Sequence, residues 1–275
     1  MPIKLGGMHY EYEITGSGDA LLLLHGFTGS KDVWRRFLPL WSHDLQVITV
    51  DLPGHGKTDS PSDWARYSIE QTAADMIALL DALKIKQAHV LGYSMGGRLA
   101  ITIASLYAER VRSLVLESCT PGLEGEEERE ERKRQDQQQA DFIMEHGLEA
   151  FVERWENIPL FASQQQLPYS VREQMRQQRL QNNPLGLANS LRGMGTGMQP
   201  SWWSSLHRLC MPVLLLGGEY DEKFLRILQC MEQRLPNAEF VQVSGAGHTI
   251  HVEQPEKFDT IVRSFFQAQY LEGGL

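Results

Sequence analysis

Short apolar runs alternate with amphipathic stretches through the first 118 residues of this chain. The apolar runs read ALLLLHG, LQVITVD, HVLGYS and VRSLVLES. Near-continuous apolar runs of this kind are typical of strands in a parallel sheet that is covered on both faces. The alternation therefore predicts an α/β fold built on a doubly wound, mostly parallel sheet.

Residues 68–83, SIEQTAADMIALLDAL, follow the helical periodicity that such a fold needs between its strands. Ser68 is a suitable N-cap because its side-chain oxygen can accept a hydrogen bond from the first helical turn. The apolar side chains fall on one stripe of the predicted helix, at Ile69, Ala73, Met76, Ile77, Leu80 and Leu83. This stripe predicts a helix that belongs to the doubly wound core.

The composition changes abruptly after ESCTPGL. Residues 124–183 are rich in Glu, Arg and Gln and contain no convincing strand, so we interpret them as solvated helices. Strand patterns resume in MPVLLLGGEYD and AEFVQVSGAGH, and a last helix is predicted over residues 256–267. We therefore predict an α/β core formed by residues 1–119 and 208–275. Residues 120–207 are predicted to form a helical lid that returns to the core through GMGTGMQPS.

Length and composition limit the class of protein. The 275 residues, 42% of them hydrophobic, are enough for one large domain with an insertion. A formal net charge of −9 argues against a general nucleic-acid binder, because such proteins need a broadly basic face. The apolar runs are too short to span a bilayer and the N-terminus lacks a signal-peptide pattern. We expect a cytoplasmic protein that binds neither nucleic acid nor membrane.

The chain has three cysteines, Cys119, Cys210 and Cys230. Their number is odd and they lack C-x-x-C spacing, so the sequence predicts neither a disulfide framework nor a metal site. We expect all three to pack in the core.

The segment LGYSMGGRLA, residues 91–100, places Ser94 between Gly92 and Gly96 where an apolar strand meets a helix. This context is typical of a nucleophile elbow, a turn so sharp that larger flanking side chains would collide with neighbouring backbone. Ser94 is therefore the predicted reactive hydroxyl.

An acid and a histidine follow Ser94 in the order that such an elbow requires. Asp221 comes after VLLLGGEY and His248 after FVQVSGAG, so each lies in a loop behind a later strand. A neutral imidazole can take the serine proton, while an ionised carboxylate fixes the tautomer of the imidazole. Ser94, His248 and Asp221 form the predicted catalytic triad. The alternatives that stay open are His251 for the histidine and Glu117, Glu219 and Glu222 for the acid.

The turn HGFTGS after the first long apolar run is suited to hold a developing negative charge. The backbone N–H groups of Phe27 and Met95 are predicted to converge on this oxyanion. His25 and His55 are assigned to the architecture of the turns LLHGF and PGHG. Together with DLPGHGKTDSP, these motifs resemble the α/β-hydrolase superfamily over essentially the whole chain. The resemblance implies an α/β-hydrolase fold, a scaffold that hosts several reactions.

Arg98 stands one helical turn after Ser94, although the N-terminus of a helix favours anions. Two interpretations stay open, an ion pair with an acid such as Glu117 or a ligand for a substrate carboxylate. Further arginines in the predicted lid favour the second interpretation, because several guanidinium groups facing Ser94 would select a polyanionic substrate. The lid arginines are Arg129, Arg132, Arg134, Arg172, Arg176 and Arg179.

The chain also resembles a narrower family, the 2-succinyl-6-hydroxy-2,4-cyclohexadiene-1-carboxylate synthases of menaquinone biosynthesis. The resemblance rests on GYSMGGRLA, ESCTPGLEGEEEREERKRQD, WENIPLFAS, RLQNNP, GMGTGMQPSWW and GEYDEKF. It implies the same triad and a set of substrate-binding residues, namely Tyr93, Arg98, Arg132, Trp155 and Arg179. Within REERKR the register leaves Arg129 and Arg134 as alternatives to Arg132.

That family eliminates pyruvate from 2-succinyl-5-enolpyruvyl-6-hydroxy-3-cyclohexene-1-carboxylate, a small substrate with three carboxylates. The resemblance implies that Ser94, activated by His248, removes the ring proton α to the succinyl carbonyl without a metal or organic cofactor. We do not interpret GMGTG as a phosphate or dinucleotide loop, because it lacks the following Lys and the strand-to-helix context of such a loop.

A carboxylesterase or C–C bond hydrolase of the same superfamily would use the same triad. A non-catalytic receptor for a small acid is the third alternative.

Overall fold

The computed structural model describes residues 2–272, which build an eight-stranded sheet in the order β1-β2-β4-β3-β5-β6-β7-β8. The strands are β1 Pro2–Leu5, β2 Met8–Thr15, β3 Asp19–Leu24, β4 Leu45–Val50, β5 Ala88–Tyr93, β6 Val111–Glu117, β7 Val213–Gly218 and β8 Ala238–Val243. In this sheet order, every neighbouring pair from β4 to β8 is parallel. The two pairs at the other edge, β1 with β2 and β2 with β4, are antiparallel. The predicted mostly parallel sheet is confirmed.

The helices lie on both faces of the sheet and in one long insertion. They are α1 Leu38–Trp41, α2 Ile69–Ala82, α3 Met95–Leu106, α4 Glu126–Trp155, α5 Tyr169–Leu180, α6 Pro184–Met194, α7 Glu222–Glu232, α8 Ile250–Glu253 and α9 Pro255–Glu272. The predicted helix over 68–83 is α2, and the Ser68 hydroxyl oxygen accepts a hydrogen bond from the Gln71 N–H at 3.3 Å. The last helix, α9, extends beyond the predicted 256–267 at both ends.

Two hydrophobic cores occupy the two faces of the sheet. Along β3, Leu22 and Leu24 pack with residues of α2, α3 and α7, while Leu21 and Leu23 pack with residues of α1 and α9. Successive side chains of a strand point to opposite faces, so an unbroken apolar run fills both cores at once. This is why the apolar runs of the sequence predict the doubly wound fold.

The insertion between β6 and β7 contains α4, α5 and α6 together with short 3-10 segments, and its described residues form no strand. A third apolar cluster joins α4 to α6 through Ala140, Ile143, Phe151, Val152, Leu187, Ala188 and Leu191. Gly147, at φ 83°, interrupts α4. A left-handed backbone at this position favours glycine, and it lets one long segment fold over the core.

The cysteine prediction is only partly correct. Cys119 is buried after β6, but Cys210 and Cys230 are exposed. Cys210 lies in the loop before β7, and Cys230 lies on the solvent-exposed face of α7. Cysteine identity alone therefore did not predict burial.

None of the described helices is long and apolar enough to cross a membrane.

Candidate active site

Ser94 lies in the turn between β5 and α3, with φ 51° and ψ −105°. The flanking glycines are needed because a side chain at Gly92 would overlap the carbonyl of Gly96, and one at Gly96 would overlap the carbonyl of Leu24. The strand, the turn and the helix are therefore packed too closely for any other residue at these two positions. The strained turn presents the Ser94 hydroxyl at the carboxyl edge of the sheet.

His248 stands between Ser94 and Asp221. Its Nδ1 lies 2.6 Å from Asp221 Oδ2, and its Nε2 lies 3.0 Å from Ser94 Oγ. The His248 and Asp221 side chains are buried. With Nδ1 donating to the carboxylate, Nε2 is free to accept the Ser94 proton. The loops after β7 and β8 thus bring the predicted acid and base to the serine.

The alternative acids and the alternative histidine have other partners. Glu117 accepts hydrogen bonds from the backbone N–H and the Nδ1 of His251. Glu219 accepts from the N–H of Gly245 at 2.7 Å, and the exposed Glu222 pairs with Arg226 at 2.9 Å. None of these contacts involves His248 or Ser94.

His25 and His55 hold backbone turns, as predicted. The N–H of Leu52 donates to His25 Nε2 at 2.9 Å, and His55 Nδ1 lies 2.9 Å from the carbonyl of Pro53. Burial lowers the pKa of His25 to about 4 and that of His55 to about 3, because the charged form of a buried imidazole loses its hydration. Both rings are neutral structural groups at neutral pH.

A cavity of about 560 Å³, here called the Ser94 chamber, opens above the serine and lies between the core and the insertion. Phe27 and Met95 are both in its lining. Met95 is the first residue of α3, where backbone N–H groups have no partner within the helix. The helix dipole adds positive potential at the same point, so this end of the chamber is suited to an oxyanion.

Arg98 lies in the lining of the Ser94 chamber and is only 8% exposed. Its Nη1 donates to the carbonyl of Met194 at 2.8 Å and to Gln199 Oε1 at 3.0 Å. Burial lowers the pKa of Arg98 to about 10, and the charge of Arg132 contributes in the same direction. The proposed ion pair with Glu117 is not formed, since His251 occupies that carboxylate.

Arg132 is the arginine of REERKR that the structure places in the Ser94 chamber. Its Nε donates to Asp136 Oδ1 at 2.8 Å, one turn further along α4. Arg129 and Arg134 are not in the chamber lining, and Arg134 forms an exposed pair with Glu131 at 2.6 Å. The structure therefore favours Arg132 over the two alternatives.

Sequence reasoning missed Asp136. It is 4% exposed and also lines the Ser94 chamber, so it adds an acid between the two chamber arginines. Burial raises the pKa of Asp136, while Arg132 opposes that rise. The four-residue spacing between Arg132 and Asp136 within a helical segment is the signal that could have revealed the pair.

Tyr93 and Trp155 line the Ser94 chamber, but Arg179 does not. The Arg179 guanidinium lies over the ring of Phe161, 5.5 Å from its centroid, and faces a neighbouring cavity. Phe161 in turn lies 6.0 Å from His248, measured between ring centroids. One aromatic ring thus separates Arg179 from the chamber in which the resemblance places it.

No group of three or more metal-ligating side chains comes together within residues 2–272.

The fold and the site define an enzyme of the α/β-hydrolase superfamily. A sequence model of the alpha/beta hydrolase fold family matches residues 19–255, and the chain belongs to this family. Within the family it groups with the 2-succinyl-6-hydroxy-2,4-cyclohexadiene-1-carboxylate synthases.

Three relatives support this grouping. A Bacillus subtilis (strain 168) protein, provisionally named for that synthase, is 51% identical over 249 residues, which are 90% of each chain. The synthase of Yersinia pestis bv. Antiqua (strain Nepal516) is 32% identical over 90% of this chain and 88% of its own. The structure of MenH from S. aureus superposes with a TM-score of 0.91 at 37% identity, covering 95% of this chain and 99% of that one.

Proposed function

We propose that this enzyme eliminates pyruvate from 2-succinyl-5-enolpyruvyl-6-hydroxy-3-cyclohexene-1-carboxylate to give 2-succinyl-6-hydroxy-2,4-cyclohexadiene-1-carboxylate, a step of menaquinone biosynthesis. One observation carries the proposal: the hydrogen-bonded series Ser94, His248 and Asp221 opens into a chamber that also contains Arg98 and Arg132. A reactive oxygen beside two cations suits a substrate with several carboxylates. The synthase names of the relatives support the same reaction.

Ser94 acts as the base in this reaction. His248 Nε2 accepts the Ser94 proton at 3.0 Å, and Asp221 stabilises the imidazolium through Nδ1 at 2.6 Å. The Ser94 oxygen then removes the ring proton α to the succinyl carbonyl, and the electron pair shifts through the ring alkene. The bond between the ring carbon and the enolpyruvyl oxygen breaks, and the leaving enolpyruvate takes up a proton at its methylene carbon to become pyruvate.

Negative charge collects on the succinyl carbonyl oxygen as the proton leaves. The backbone N–H groups of Phe27 and Met95 hold this oxygen at the N-terminus of α3. Donors that are fixed before the reaction stabilise the enolate without reorganisation, and this lowers the barrier to proton removal.

Arg98 and Arg132 bind substrate carboxylates in the Ser94 chamber, one from α3 of the core and one from α4 of the insertion. Arg132 uses Nε for Asp136 and keeps its terminal nitrogens for a carboxylate. Tyr93 and Trp155 shape the chamber around the ring. Residues 120–207 act as the lid that excludes water from it.

The test is incubation of the purified protein with the enolpyruvyl substrate, followed by measurement of pyruvate and of the conjugated diene product. Release of both in equal amounts, and its loss in Ser94→Ala, supports the lyase. Hydrolysis of simple carboxylic esters without pyruvate release would show instead a carboxylesterase that uses the same three residues.

A further inference from the structure

His248 is carried by residues 244–249, which link β8 to α8 and are here called the His248 loop. Backbone groups that belong to no helix or strand need other hydrogen-bond partners. At the start of the loop these partners are side chains: the Gly245 N–H donates to Glu219 Oε2 at 2.7 Å, and the Gly245 carbonyl accepts from Gln254 Nε2 at 2.9 Å. These contacts fix the loop three residues before the histidine.

The Glu253 carboxylate holds the loop at the histidine itself. Its Oε2 accepts from the N–H of Gly247 at 2.8 Å, and its Oε1 accepts from the N–H of Thr249 at 3.1 Å. Gly247 and Thr249 are the two neighbours of His248 in the chain. One side chain therefore fixes the backbone on both sides of His248, and with it the direction in which the imidazole leaves the backbone.

Capping of the short helix α8 accounts for only one of these two contacts. Thr249 is the N-cap of α8, and an acid in the first turn of a helix commonly accepts from the N–H of the N-cap residue. The contact with Gly247 lies outside the helix, on the other side of His248, so helix formation does not require it. This second contact acts on the histidine and not on the helix.

The His248 loop is also joined to the loop that carries Asp221. The N–H of Tyr220 donates to the carbonyl of Ala246 at 2.9 Å. This contact holds the His248 loop from the side of β7, whereas Glu253 holds it from the side of α8. The backbone that carries the imidazole is therefore fixed from two directions.

We propose that Glu253 is a positioning residue that sets the orientation of His248 toward Ser94. It acts through the backbone of Gly247 and Thr249 and is not in the lining of the Ser94 chamber. The proposal rests on the proposed function, in which His248 accepts the Ser94 proton. The imidazole must meet its acid at 2.6 Å and the serine at 3.0 Å at the same time. A small displacement of the loop changes both contacts, so it slows proton transfer without removing a catalytic group.

The test replaces Glu253 by glutamine, which has nearly the same shape. Glutamine keeps one acceptor oxygen, but its NH2 group would face the second backbone N–H, donor against donor. The reactivity of Ser94 is measured with a fluorophosphonate, whose phosphorus the serine oxygen attacks with loss of fluoride while His248 takes the proton. Intact-protein mass spectrometry follows the labelling without turnover of the enolpyruvyl substrate. We expect Glu253→Gln to be labelled about tenfold or more slowly than the parent protein.

Glu219→Gln is the matched control. Glu219 also accepts a backbone N–H of the His248 loop, but that of Gly245, three residues before the histidine. We expect this variant to be labelled at the parent rate, even if its thermal unfolding midpoint falls as much as that of Glu253→Gln. An equal loss of labelling in both variants would show that the stability of the whole loop, and not the Glu253 carboxylate, determines the orientation of His248.

Two further readouts separate positioning from a loss of structure. In steady-state kinetics with the enolpyruvyl substrate, kcat should fall while KM changes little, because Arg98 and Arg132 have their hydrogen-bond partners outside the His248 loop. In proton NMR, the Nδ1–H that His248 donates to its carboxylate gives a far-downfield resonance, which Asp221→Asn assigns by its loss. This resonance should shift or broaden in Glu253→Gln.

The proposal is wrong if folded Glu253→Gln is labelled like the parent protein and keeps the downfield resonance unchanged. Should the glutamine variant fail to fold, Glu253→Asp decides. Aspartate keeps the charge, but its shorter side chain cannot hold both N–H groups unless the loop moves, so slower labelling supports the proposal and labelling at the parent rate contradicts it. A parent protein whose Ser94 is not labelled would refute the triad itself, whereas labelling without pyruvate release would refute only the lyase reaction.

Discussion

Glu117 accepts hydrogen bonds from both the backbone N–H of His251, at 3.1 Å, and its Nδ1, at 2.8 and 2.9 Å. The backbone carbonyl of Glu117 also accepts from the N–H of Ser94 at 2.9 Å. One residue at the end of β6 therefore ties the serine turn to the loop that carries His248. A fully buried acid in this position holds the site together and is not available to Arg98 as a counter-ion.

Asp221→Asn and Glu117→Gln are expected to differ in what they lose. Asn at 221 cannot fix the His248 tautomer as a carboxylate does, so kcat should fall by two orders of magnitude or more. Gln at 117 weakens the contacts with His251, and the free energy of unfolding should fall by about 1–3 kcal/mol. The measurements are kcat from pyruvate release and urea unfolding of both variants. A larger loss of kcat in Glu117→Gln at full folding would reassign the acid.

The elbow and the strands could be predicted because their signals are local. Gly92 and Gly96 are required by contacts within a few residues of Ser94, and the apolar runs by burial of both sheet faces. The positions of Asp221 and His248 follow from strand order, since parallel strands bring their carboxyl ends to one edge.

The sequence does not predict which arginines of the insertion point into the Ser94 chamber, because that depends on how the helices of the insertion pack on the core. Both α4 and α5 carry several arginines, yet Arg132 lies in the Ser94 chamber and Arg179 lies behind Phe161. Helical spacing gives the relation of Arg132 to Asp136 within one helix, but not the orientation of that helix on the core.

Ser94→Gly is expected to be more stable than Ser94→Ala, although both should be inactive. Ser94 has φ 51°, a strained value for a residue with a Cβ, which costs about 1–3 kcal/mol. Glycine removes this strain and loses about 0.5–1 kcal/mol through its greater freedom in the unfolded chain. The balance favours glycine by about 0–2.5 kcal/mol, so thermal unfolding should give a midpoint up to several degrees higher for the glycine variant. A lower midpoint for Ser94→Gly than for Ser94→Ala would show that the strain relieved is smaller than the entropy that glycine loses, and would contradict this prediction.

The free energy of unfolding is expected to fall as the pH drops below the ordinary histidine pKa of 6.5. The folded state keeps His25 and His55 neutral down to about pH 4 and 3, respectively, whereas the unfolded chain protonates them near pH 6.5. The stabilisation is therefore complete above pH 6.5 and is lost as the pH falls toward 4 for His25 and toward 3 for His55, by about 1.4 kcal/mol per pH unit for each histidine.

Urea unfolding at about pH 7.5 and about pH 5 measures this slope. His55→Gln should reduce it, whereas His43→Gln, at an exposed position, should leave it unchanged. A slope in His55→Gln equal to that of the parent protein would show that other groups control the acid sensitivity.

No covalent intermediate is expected to accumulate on Ser94 during turnover of the enolpyruvyl substrate. A serine that removes a proton returns to its hydroxyl without forming an acyl-enzyme, even though the same geometry permits slow hydrolysis of activated esters. Intact-protein mass spectrometry on rapidly quenched samples tests this, with an activated ester as the positive control. A substrate-dependent adduct on Ser94, formed as fast as product appears, would favour the hydrolase.

Arg98→Ala is expected to lower both catalysis and stability, because the structure gives Arg98 two kinds of contact. As a carboxylate ligand it contributes one or more charge-assisted hydrogen bonds, so kcat/KM should fall by about tenfold or more. As a donor to the Met194 carbonyl and Gln199 Oε1 it satisfies two acceptors. Each acceptor left unsatisfied costs about 1–3 kcal/mol, which corresponds to several degrees in Tm.

Arg98→Lys separates the two contributions of Arg98. Lysine keeps the charge but not the planar fork, so part of kcat/KM should return while the paired contacts with Met194 and Gln199 are only partly restored. Arg132→Gln is the comparison, because its guanidinium is more exposed and its loss should lower kcat/KM with a smaller change in Tm. Steady-state kinetics and thermal unfolding on the same preparations test this. If Arg98→Ala loses stability while its folded fraction keeps the parent kcat/KM, Arg98 is structural and the carboxylate ligand lies elsewhere in the chamber.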